Sequence, residues 1–339
     1  MDIKENISLA RFTTLRVGGT ARFFAEARTE ADVIEAFGWA RANETEVFVL
    51  GGGSNIVVSD AGFDGLVIKI GLTGVAFEEE ANSVRVTAGA GEDWDALAAV
   101  CVEKKLAGFE CLSGIPGTVG GTPVQNVGAY GQEVSETIVS VRCFDRRSSE
   151  VVELSNTECS FAYRKSIFNM TERERYVVLS VVYNLVKNGE PKIVYKDLKE
   201  RFGKSEPTLK ETRDVVIRIR KEKAMVIDEA DPNSRSAGSF FKNPIVDVSI
   251  ADEIGREVPR FPSAEGKVKI PAAWLIERAG FHKGFALGNA GISEKHSLAI
   301  VNRRGATAGE IVALKELIQK GVFEKFGIAL ETEPVFVGF

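Results

Sequence analysis

The segment that decides the fold is rich in glycine and lies in the first half of the chain. Residues 113–131 read SGIPGTVGGTPVQNVGAYG, with six glycines in nineteen residues and no Lys or Arg. Such a segment buries little apolar surface, but it can bring bare backbone N–H groups close to an anionic group. Loops of this length in compact domains are usually functional or disordered. Ile115, Val119, Val124 and Val127 interrupt the segment and argue against disorder.

A second glycine turn lies upstream. Residues 47–50 read VFVL and predict a buried strand, and the turn GGGSN follows directly at residues 51–55. Neither turn contains the Gly-Lys-Ser/Thr of a P-loop, and the first lacks the third glycine of the dinucleotide-binding fingerprint. Two lysine-free glycine turns favour one extended cofactor with a pyrophosphate at its centre. For the first turn taken alone, an ordinary tight surface turn remains the alternative.

Length, charge and cysteine usage limit the class of protein. A chain of 339 residues is long enough for two or three domains. Its net charge of −5 and lack of a basic run argue against a nucleic-acid partner. The polar N-terminus and the absence of a long apolar run argue against a signal peptide and a membrane partner. Four widely spaced cysteines indicate reduced thiols in a cytoplasmic protein, and two histidines give poor support for a metal site.

The order of helical and strand patterns predicts an α+β protein with three domains. We expect domains at residues 1–70, 71–215 and 216–327, and a final strand at about 328–339 that returns to the first domain. The predicted helices cover about 30–41, 93–105, 271–279 and 307–321, with N-cap residues or Pro at their starts. The main predicted strands cover 47–50, 66–70, 84–88, 138–145, 151–154, 176–186 and 297–302.

A second distinctive run could carry chemistry. Residues 236–244 read SAGSFFKNP, which places Ser239 against an apolar wall and lets Lys242 and Asn243 meet an anionic ligand. Taken alone, Ser239 is more typical of a turn residue, because serine readily bonds to local backbone. Arg164 and Glu333 would, by themselves, be read as solvated surface charges.

Taken together, six motifs in this order resemble the UDP-N-acetylenolpyruvoylglucosamine reductase family from about Arg16 to the C-terminus. They are the turn at 51–55, the segment 113–131, YRKS at 163–166, SFFKNP at 239–244, AWLIE at 273–277 and the terminal strand with Glu333. The sequence QNVGAYG at 125–131 and Tyr195 within IVYKDL resemble the type I branch of that family.

The resemblance implies the fold, the cofactors and the reaction. It implies two α+β domains that form an FAD-binding unit of the PCMH type, like that of vanillyl-alcohol oxidase, plus a C-terminal α+β substrate domain. It implies non-covalent FAD, NADPH as reductant, and reduction of UDP-N-acetylenolpyruvoylglucosamine to UDP-N-acetylmuramate for peptidoglycan synthesis, cell shape and cell division. A UDP-sugar is the implied partner, and we expect a monomer.

The resemblance also implies roles for individual residues. Arg164 and Glu333 match the residues that polarise the substrate carboxylate, and Ser239 matches the proton donor to the adjacent carbon. The substrate-binding positions are Tyr195, Lys223, Lys242 and Asn243. The cofactor-binding positions are Gly51, Gly52, Gly53, Ser54, Asn55, Ser113, Gly114, Ile115, Pro116, Gly117, Gly120, Gly121, Gln125, Asn126, Gly128, Ala129 and Tyr130. Among them, we expect Gly120 to face the cofactor, so that valine there would block its approach.

Two alternatives from other classes remain open at this stage. One is another FAD-dependent oxidoreductase of the same fold that acts on a small alcohol or sugar. Many such oxidases tether FAD through His or Cys, and neither glycine turn contains either residue. The other is a non-redox sugar-nucleotide-binding protein, which would be colourless and would consume no NADPH.

Overall fold

The computed structural model describes all 339 residues and contains seven α-helices. These are α1 (Glu30–Ala42), α2 (Trp94–Glu103), α3 (Lys196–Phe202), α4 (Leu209–Glu222), α5 (Val248–Ile254), α6 (Ala272–Arg278) and α7 (Ala308–Phe326). Helices hold 28% and strands 29% of the residues, so the predicted α+β class is confirmed. No helix combines the length and the apolar sequence that crossing a membrane requires.

The strands are mostly short, and β13 is the longest. They are β1 (Ile3–Ser8), β2 (Thr20–Ala27), β3 (Val47–Leu50), β4 (Ile56–Val58), β5 (Phe63–Ile70), β6 (Val75–Glu79), β7 (Ser83–Gly89), β8 (Leu106–Ala107), β9 (Gly128–Ala129), β10 (Gln132–Glu133), β11 (Ile138–Asp145), β12 (Glu150–Ser155), β13 (Tyr176–Lys187), β14 (Ile245–Asp247), β15 (Phe261–Pro262), β16 (Lys267–Lys269), β17 (Ala286–Leu287), β18 (Ala290–Ile292), β19 (Ile300–Asn302) and β20 (Val335–Val337).

The chain divides into two compact units that cut across the three predicted domains. The first unit comprises Met1–Ile7, Ala21–Gly52 and Asp64–Lys221, and the second comprises Ser8–Thr20, Gly53–Phe63 and Glu222–Phe339. Residues 1–70 are thus shared between the two units, because β20 pairs in parallel with β4 within the second unit. The division into three domains stays a prediction.

The first unit contains three sheets, of which the smallest is the antiparallel pair β9–β10, and one large core. A four-stranded sheet has the order β1-β2-β5-β3, with β3 and β5 parallel. A six-stranded antiparallel sheet has the order β12-β11-β13-β7-β6, with β8 also paired to β13. Trp94, Phe109 and Tyr183 pack against one another in the core, and the Trp94 indole N–H donates to the Leu112 carbonyl at 2.9 Å. The core therefore holds the chain immediately before the glycine-rich segment.

The second unit is built around α6 and α7. Its three small sheets are β14-β16-β15, β17-β18-β19 and the parallel pair β20-β4. Leu275 and Ile276 of α6 and Ile311, Leu314 and Ile318 of α7 are buried in its core, in which Phe240 and Phe241 also lie. The apolar residues of the predicted helices thus form the interior of this unit.

Local sequence signals predicted the helix starts well. Thr29 and Asp32 form a capping box at α1, Asp93 caps α2, and Thr307 and Glu310 form a capping box at α7. The predicted end of α7 at Gly321 is wrong. The helix continues to Phe326 and ends at Gly327, whose φ of +66° is the left-handed conformation that glycine adopts readily.

Helix α4 was not predicted, and it spans the expected boundary between the second and third domains at residues 215 and 216. Its buried face is formed by Leu209, Thr212, Val216, Ile219 and Arg220. Arg218, Arg220 and Lys221 fall within the expected third domain, residues 216–327, but they belong to the first unit. Lys223 is the first predicted substrate-binding residue of the second unit.

Candidate active site

The two glycine turns contact each other through bare backbone in the first unit. A Cβ atom on Gly52 would lie 2.6 Å from the Gly117 Cα atom, closer than real side chains approach. A Cβ on Gly51 would lie 3.1 Å from the Thr118 Oγ1 atom. Gly117 itself has a φ of +130°, which favours glycine. These positions need glycine because the turns are packed together.

Two buried hydroxyl groups of the glycine-rich segment have no protein partner. The Ser113 Oγ and Thr118 Oγ1 atoms are both shielded from solvent and make no hydrogen bond within the chain. Buried hydroxyls without a partner are costly, so each calls for an explanation such as a bound ligand. Ser113 was a predicted cofactor-binding residue, whereas Thr118 was missed, although it lies inside the quoted segment.

The start of the glycine segment is fixed by charged side chains. The Gly114 amide donates to Asp95 at 2.6 Å, and its carbonyl accepts from the Arg220 Nε atom at 3.1 Å. Arg213 forms a bidentate pair with Asp95 at 2.6 and 2.9 Å. Burial opposes ionisation of Asp95, but the bonds from Arg213 and the Gly114 amide hold its pKa below the usual value.

A buried cation therefore lies against a segment that contains no Lys or Arg of its own. Arg220 is 8% exposed, and burial lowers the pKa of its guanidinium, while electrostatic interactions with Tyr130 and Asp95 oppose that shift. An arginine remains protonated in proteins despite such shifts. Two arginines and one carboxylate at Gly114 give this end of the segment net positive charge, which suits an anionic group.

The structure gives Gly120 a packing role, and its contact with a cofactor stays a prediction. A Cβ atom there would lie 2.7 Å from the Ala90 Cβ atom, so Gly120 packs against the protein core. Valine at this position would distort the fold, whatever it did to a cofactor. Gly121 is different, because a Cβ there would meet no atom within 4 Å.

Asn126 organises the second half of the glycine segment. It is fully buried and has a φ of +45°, an uncommon conformation for a non-glycine residue. Its side-chain amide donates to Glu133 at 2.8 Å and to the Ala162 carbonyl at 3.1 Å. Its carbonyl oxygen accepts from the Ser135 amide at 3.1 Å. The side chain of this predicted cofactor-binding residue is thus bonded to protein.

Arg164 lies at the tip of a tight turn that is attached to the glycine segment. Ala162 and Lys165 exchange backbone hydrogen bonds of 2.9 and 3.0 Å, which leaves Tyr163 and Arg164 as a two-residue turn. Arg164 has a φ of +56°, and its Nη2 atom donates to the Gly128 carbonyl at 2.8 Å. The guanidinium is thereby held against a predicted cofactor-binding residue within the same unit.

Tyr130 and Tyr195 meet in the first unit, although they were assigned to different ligands. Their rings make an edge contact with centroids 5.5 Å apart. Burial raises the pKa of Tyr195, which keeps its phenol protonated and able to donate. Tyr195 is also 45% exposed, and it immediately precedes α3.

In the second unit, the backbone of Phe240, the residue after Ser239, bonds the segment that carries Glu333. The Phe240 amide donates to the Leu298 carbonyl at 2.8 Å, and its carbonyl accepts from the Glu333 amide at 3.0 Å. The Phe240 and Phe241 side chains are buried at 0% and 1% exposure. Ser239 is partly exposed, and the two buried phenylalanines that follow it fix its backbone beside the Glu333 segment.

Both backbone groups of Glu333 are fixed. Its carbonyl accepts from the Asn55 side-chain amide at 3.2 Å, and the Asn55 carbonyl accepts from Val335 at 3.0 Å. Asn55 was predicted to bind the cofactor, and in the structure it also attaches the terminal segment to the first glycine turn. Pro334 leaves this arrangement intact, since its own missing N–H takes no part in it.

The predicted substrate-binding residues of the second unit differ in their contacts and burial. The Asn243 side-chain oxygen accepts from the Ala272 amide at 2.9 Å and so bonds the first turn of α6. Lys242 pairs with the exposed Glu331 at 3.2 Å. Lys223 is partly buried just after α4. Their roles toward substrate stay predictions.

The remaining predicted cofactor-binding residues lie on the two turns as expected from their sequence positions. Gly53 has a φ of +63°, and a Cβ there would overlap the Phe12 carbonyl oxygen. A Cβ on Gly128 would lie 2.9 Å from the Glu133 Cγ atom. The partly buried members are Ser54, Ile115, Pro116, Gln125 and Ala129.

One neighbour of Ser239 was missed by sequence reasoning. The His296 Nε2 atom lies 3.5 Å from the Ser239 Oγ atom. The two residues are 57 positions apart, and no motif connects them.

Known proteins match nearly the whole chain in sequence. A family profile described as an FAD-binding domain matches residues 21–155, and one for the C-terminal domain of UDP-N-acetylenolpyruvoylglucosamine reductase matches residues 231–337. The reductase of Thermobifida fusca is 45% identical over 98% of this chain and 97% of its own length. The chain belongs to the UDP-N-acetylenolpyruvoylglucosamine reductase family.

Further relatives agree with this membership. The reductase of Streptomyces coelicolor is 45% identical over 97% of this chain and 89% of its own length. A crystal structure of the reductase from Thermus caldophilus aligns with a TM-score of 0.70 and 26% identity, covering 99% of both chains. The family consists of FAD-dependent oxidoreductases, so the predicted enzyme class and FAD as cofactor are confirmed.

The residues of this chain fit that cofactor. Both glycine turns and the orphaned hydroxyls of Ser113 and Thr118 lie inside the FAD-binding match. Close backbone approach and net positive charge at Gly114 suit a pyrophosphate. Which atoms contact the cofactor stays a prediction.

The packing of Gly52 against Gly117 generates a test of flavin binding. We expect Gly52→Ala to weaken FAD binding by about tenfold or more, because its methyl group must push the two turns apart. FAD affinity of the apoprotein, measured by flavin fluorescence, checks this. Gly38→Ala in α1 is the matched control, since a Cβ there meets nothing within 4 Å. Equal affinity of the Gly52 variant and the parent would contradict the role of the contact.

Proposed function

We propose that this protein catalyses the NADPH-dependent reduction of UDP-N-acetylenolpyruvoylglucosamine to UDP-N-acetylmuramate. The observation that carries the proposal is the pairing of Ser239 with the Glu333 segment through the Phe240 backbone in the second unit. The family membership supplies the substrate class, a UDP-sugar. The product is a precursor of peptidoglycan, and we propose a cytoplasmic role because all four cysteines are free thiols.

Non-covalent attachment of FAD is supported by the cysteines. All four are buried, and burial raises the pKa of their thiols, to about 12 for Cys101 and Cys159. A buried protonated thiol is a poor nucleophile, so none of them suits a tether to flavin. Bound FAD, once reduced by NADPH, supplies the hydride for the methylene carbon of the substrate.

Residues of the chain must then stabilise the negative charge that develops on the substrate. Hydride addition to the methylene carbon places negative charge on the adjacent carbon and its carboxylate. We propose that Arg164 binds this carboxylate, because a guanidinium offers paired donors in a planar fork. Glu333 would repel a carboxylate if both were ionised, so we propose that it is protonated or shares a proton with the substrate carboxylate.

Ser239 is the proposed proton donor to the adjacent carbon. A serine hydroxyl is a weak acid, so it serves only a strongly basic centre, which the hydride transfer creates. The buried rings of Phe240 and Phe241 keep the segment fixed and exclude water from one side of it. A water-poor surrounding strengthens such an interaction.

The proposed function predicts the visible spectrum and its response to NADPH. The purified protein should be yellow, should release its flavin on acid precipitation, and should lose the flavin absorbance when NADPH is added without oxygen. UDP-N-acetylenolpyruvoylglucosamine should then restore the absorbance, with one UDP-N-acetylmuramate formed per flavin reoxidised. Flavin that precipitates with the protein would favour a tethering oxidase, and a protein that takes up no FAD would contradict the proposal.

The role of Ser239 is separable from flavin reduction. We expect Ser239→Ala to be reduced by NADPH at the parent rate but reoxidised by substrate about 10²–10⁴-fold more slowly, the usual loss for a positioned acid. Ser239→Cys should retain more activity than Ser239→Ala because it keeps a proton at the same place. Stopped-flow absorbance follows the two half-reactions. Reoxidation of the alanine variant at the parent rate would return Ser239 to the role of a turn residue.

The role of Arg164 has a similar test. We expect Arg164→Lys to slow reoxidation by substrate about 10²-fold, since lysine cannot reproduce two parallel bonds to a carboxylate. Reduction by NADPH should persist at nearly the parent rate. Arg173→Lys is the matched control, because Arg173 is an exposed arginine of the same unit, paired with its neighbour Glu174. Equal reoxidation in the Arg164 and Arg173 variants would contradict the proposed role of Arg164 toward the substrate carboxylate.

A further inference from the structure

His296 is a polar neighbour of Ser239 that the proposed mechanism does not yet use. It lies in the loop between β18 and β19, and its Nε2 atom is 3.5 Å from the Ser239 Oγ atom. The loop is closed by a hydrogen bond of 2.9 Å from the Ser293 amide to the Ala299 carbonyl. The Ala299 amide in turn donates to the His296 carbonyl at 3.1 Å. The imidazole is therefore carried by a tight, internally bonded loop.

The loop is also anchored to the rest of the second unit. The Ser293 hydroxyl donates to Asn233 at 3.1 Å, and Lys295 pairs with Asp231 at 2.7 Å. Ser297, the residue after His296, bonds Glu277 of α6 through its hydroxyl. These bonds fix the loop immediately before and immediately after the histidine.

The Ser239 segment is bonded to this same loop. The Phe240 amide donates to the Leu298 carbonyl, two residues after His296. The backbone hydrogen bond thus sets the separation of the serine and histidine side chains. Their proximity is a consequence of the fold, since both residues are held by neighbours in sequence.

We propose that His296 is a positioning residue that donates a hydrogen bond from its Nε2–H to the Ser239 oxygen. A serine hydroxyl has one O–H and two acceptor lone pairs, and it rotates freely unless a partner fixes it. A donor on the oxygen leaves the serine proton directed at the substrate. The other imidazole tautomer would accept that proton and oppose the acid role. This inference rests on the proposed role of Ser239.

The same hydrogen bond assists the proton transfer itself. The Ser239 O–H bond breaks, a C–H bond forms on the substrate, and the electron pair stays on the serine oxygen. Hydrogen bonding to a charged form stabilises it, so the Nε2–H of His296 strengthens the acidity of the hydroxyl. Water returns a proton to the serine oxygen before the next turnover.

The test compares variants that keep or remove the donor. His296→Leu removes it at similar volume, and His296→Gln keeps an N–H donor on a side chain of comparable reach. We expect His296→Leu to slow reoxidation by substrate about 10–100-fold, the effect of losing one hydrogen bond to a developing charge. We expect His296→Gln to recover most of that loss. Reduction by NADPH should be unchanged in both variants.

Two further measurements separate positioning from a structural role. In the Ser239→Ala background, His296→Leu should cause no additional loss, because the histidine acts through the serine hydroxyl. His282→Leu is the matched control, since His282 is exposed and bonds the adjacent Lys283 carbonyl. It should leave both half-reactions unchanged. If His296→Leu does not fold, His296→Met takes its place in the same comparisons.

The outcomes distinguish this inference from the proposed function. Slow reoxidation of Ser239→Ala together with parent rates for His296→Leu would overturn the inference and leave the proposed function standing. No recovery in His296→Gln, or additive losses in the double variant, would also overturn it. Reoxidation of Ser239→Ala at the parent rate would instead remove the role of Ser239 on which the inference rests.

Discussion

The close contact between Gly52 and Gly117 is the constraint on which the cofactor region of the first unit depends. It brings two turns, far apart in sequence, to a distance that no side chain tolerates. The six-stranded sheet and the Trp94–Phe109–Tyr183 cluster supply the rigid support that such packing needs. Bare backbone alone would bind an anion weakly. Asp95 and the buried Arg220 bond the amide and the carbonyl of Gly114, and the pairing of Arg213 with Asp95 leaves net positive charge there.

In the second unit, the main constraint is that polar side chains are held in place next to a buried apolar core. Phe240 holds them with its backbone, which bonds Leu298 on one side and Glu333 on the other, while its ring is fully buried. One residue thus connects the segment of the proposed acid, the loop with His296 and the terminal strand. A polar group beside such a core loses little rotational freedom when it reacts, because the surrounding packing has already fixed it.

Sequence reasoning found what local chemistry determines. Glycine turns, helix starts and strands such as β11 follow from neighbours a few positions apart, so their positions were predicted closely. It missed what depends on distant partners. Asp95 and Arg213 are 118 positions apart, and Ser239 and His296 are 57 apart, so no spacing pattern reveals either pair. Helix α4 was hidden because its buried face includes Arg220, which reads as a surface charge. Sequence alone also did not show that the Cβ direction of Gly120 meets Ala90 in the core.

Sequence reasoning also does not reveal which non-glycine residues adopt a positive φ. Asn126, Tyr130 and Arg164 have φ values of +45°, +50° and +56°, and all three were predicted site residues. Such conformations cost free energy and persist only where neighbouring contacts impose them. Here the contacts exist, since Asn126 is held by Glu133 and Ser135, and Arg164 by the Gly128 carbonyl. Glycine would relieve the strain at each position, but it would also delete the side-chain contacts that Asn126, Tyr130 and Arg164 make. The strain is therefore the cost of keeping these contacts where the backbone geometry favours glycine.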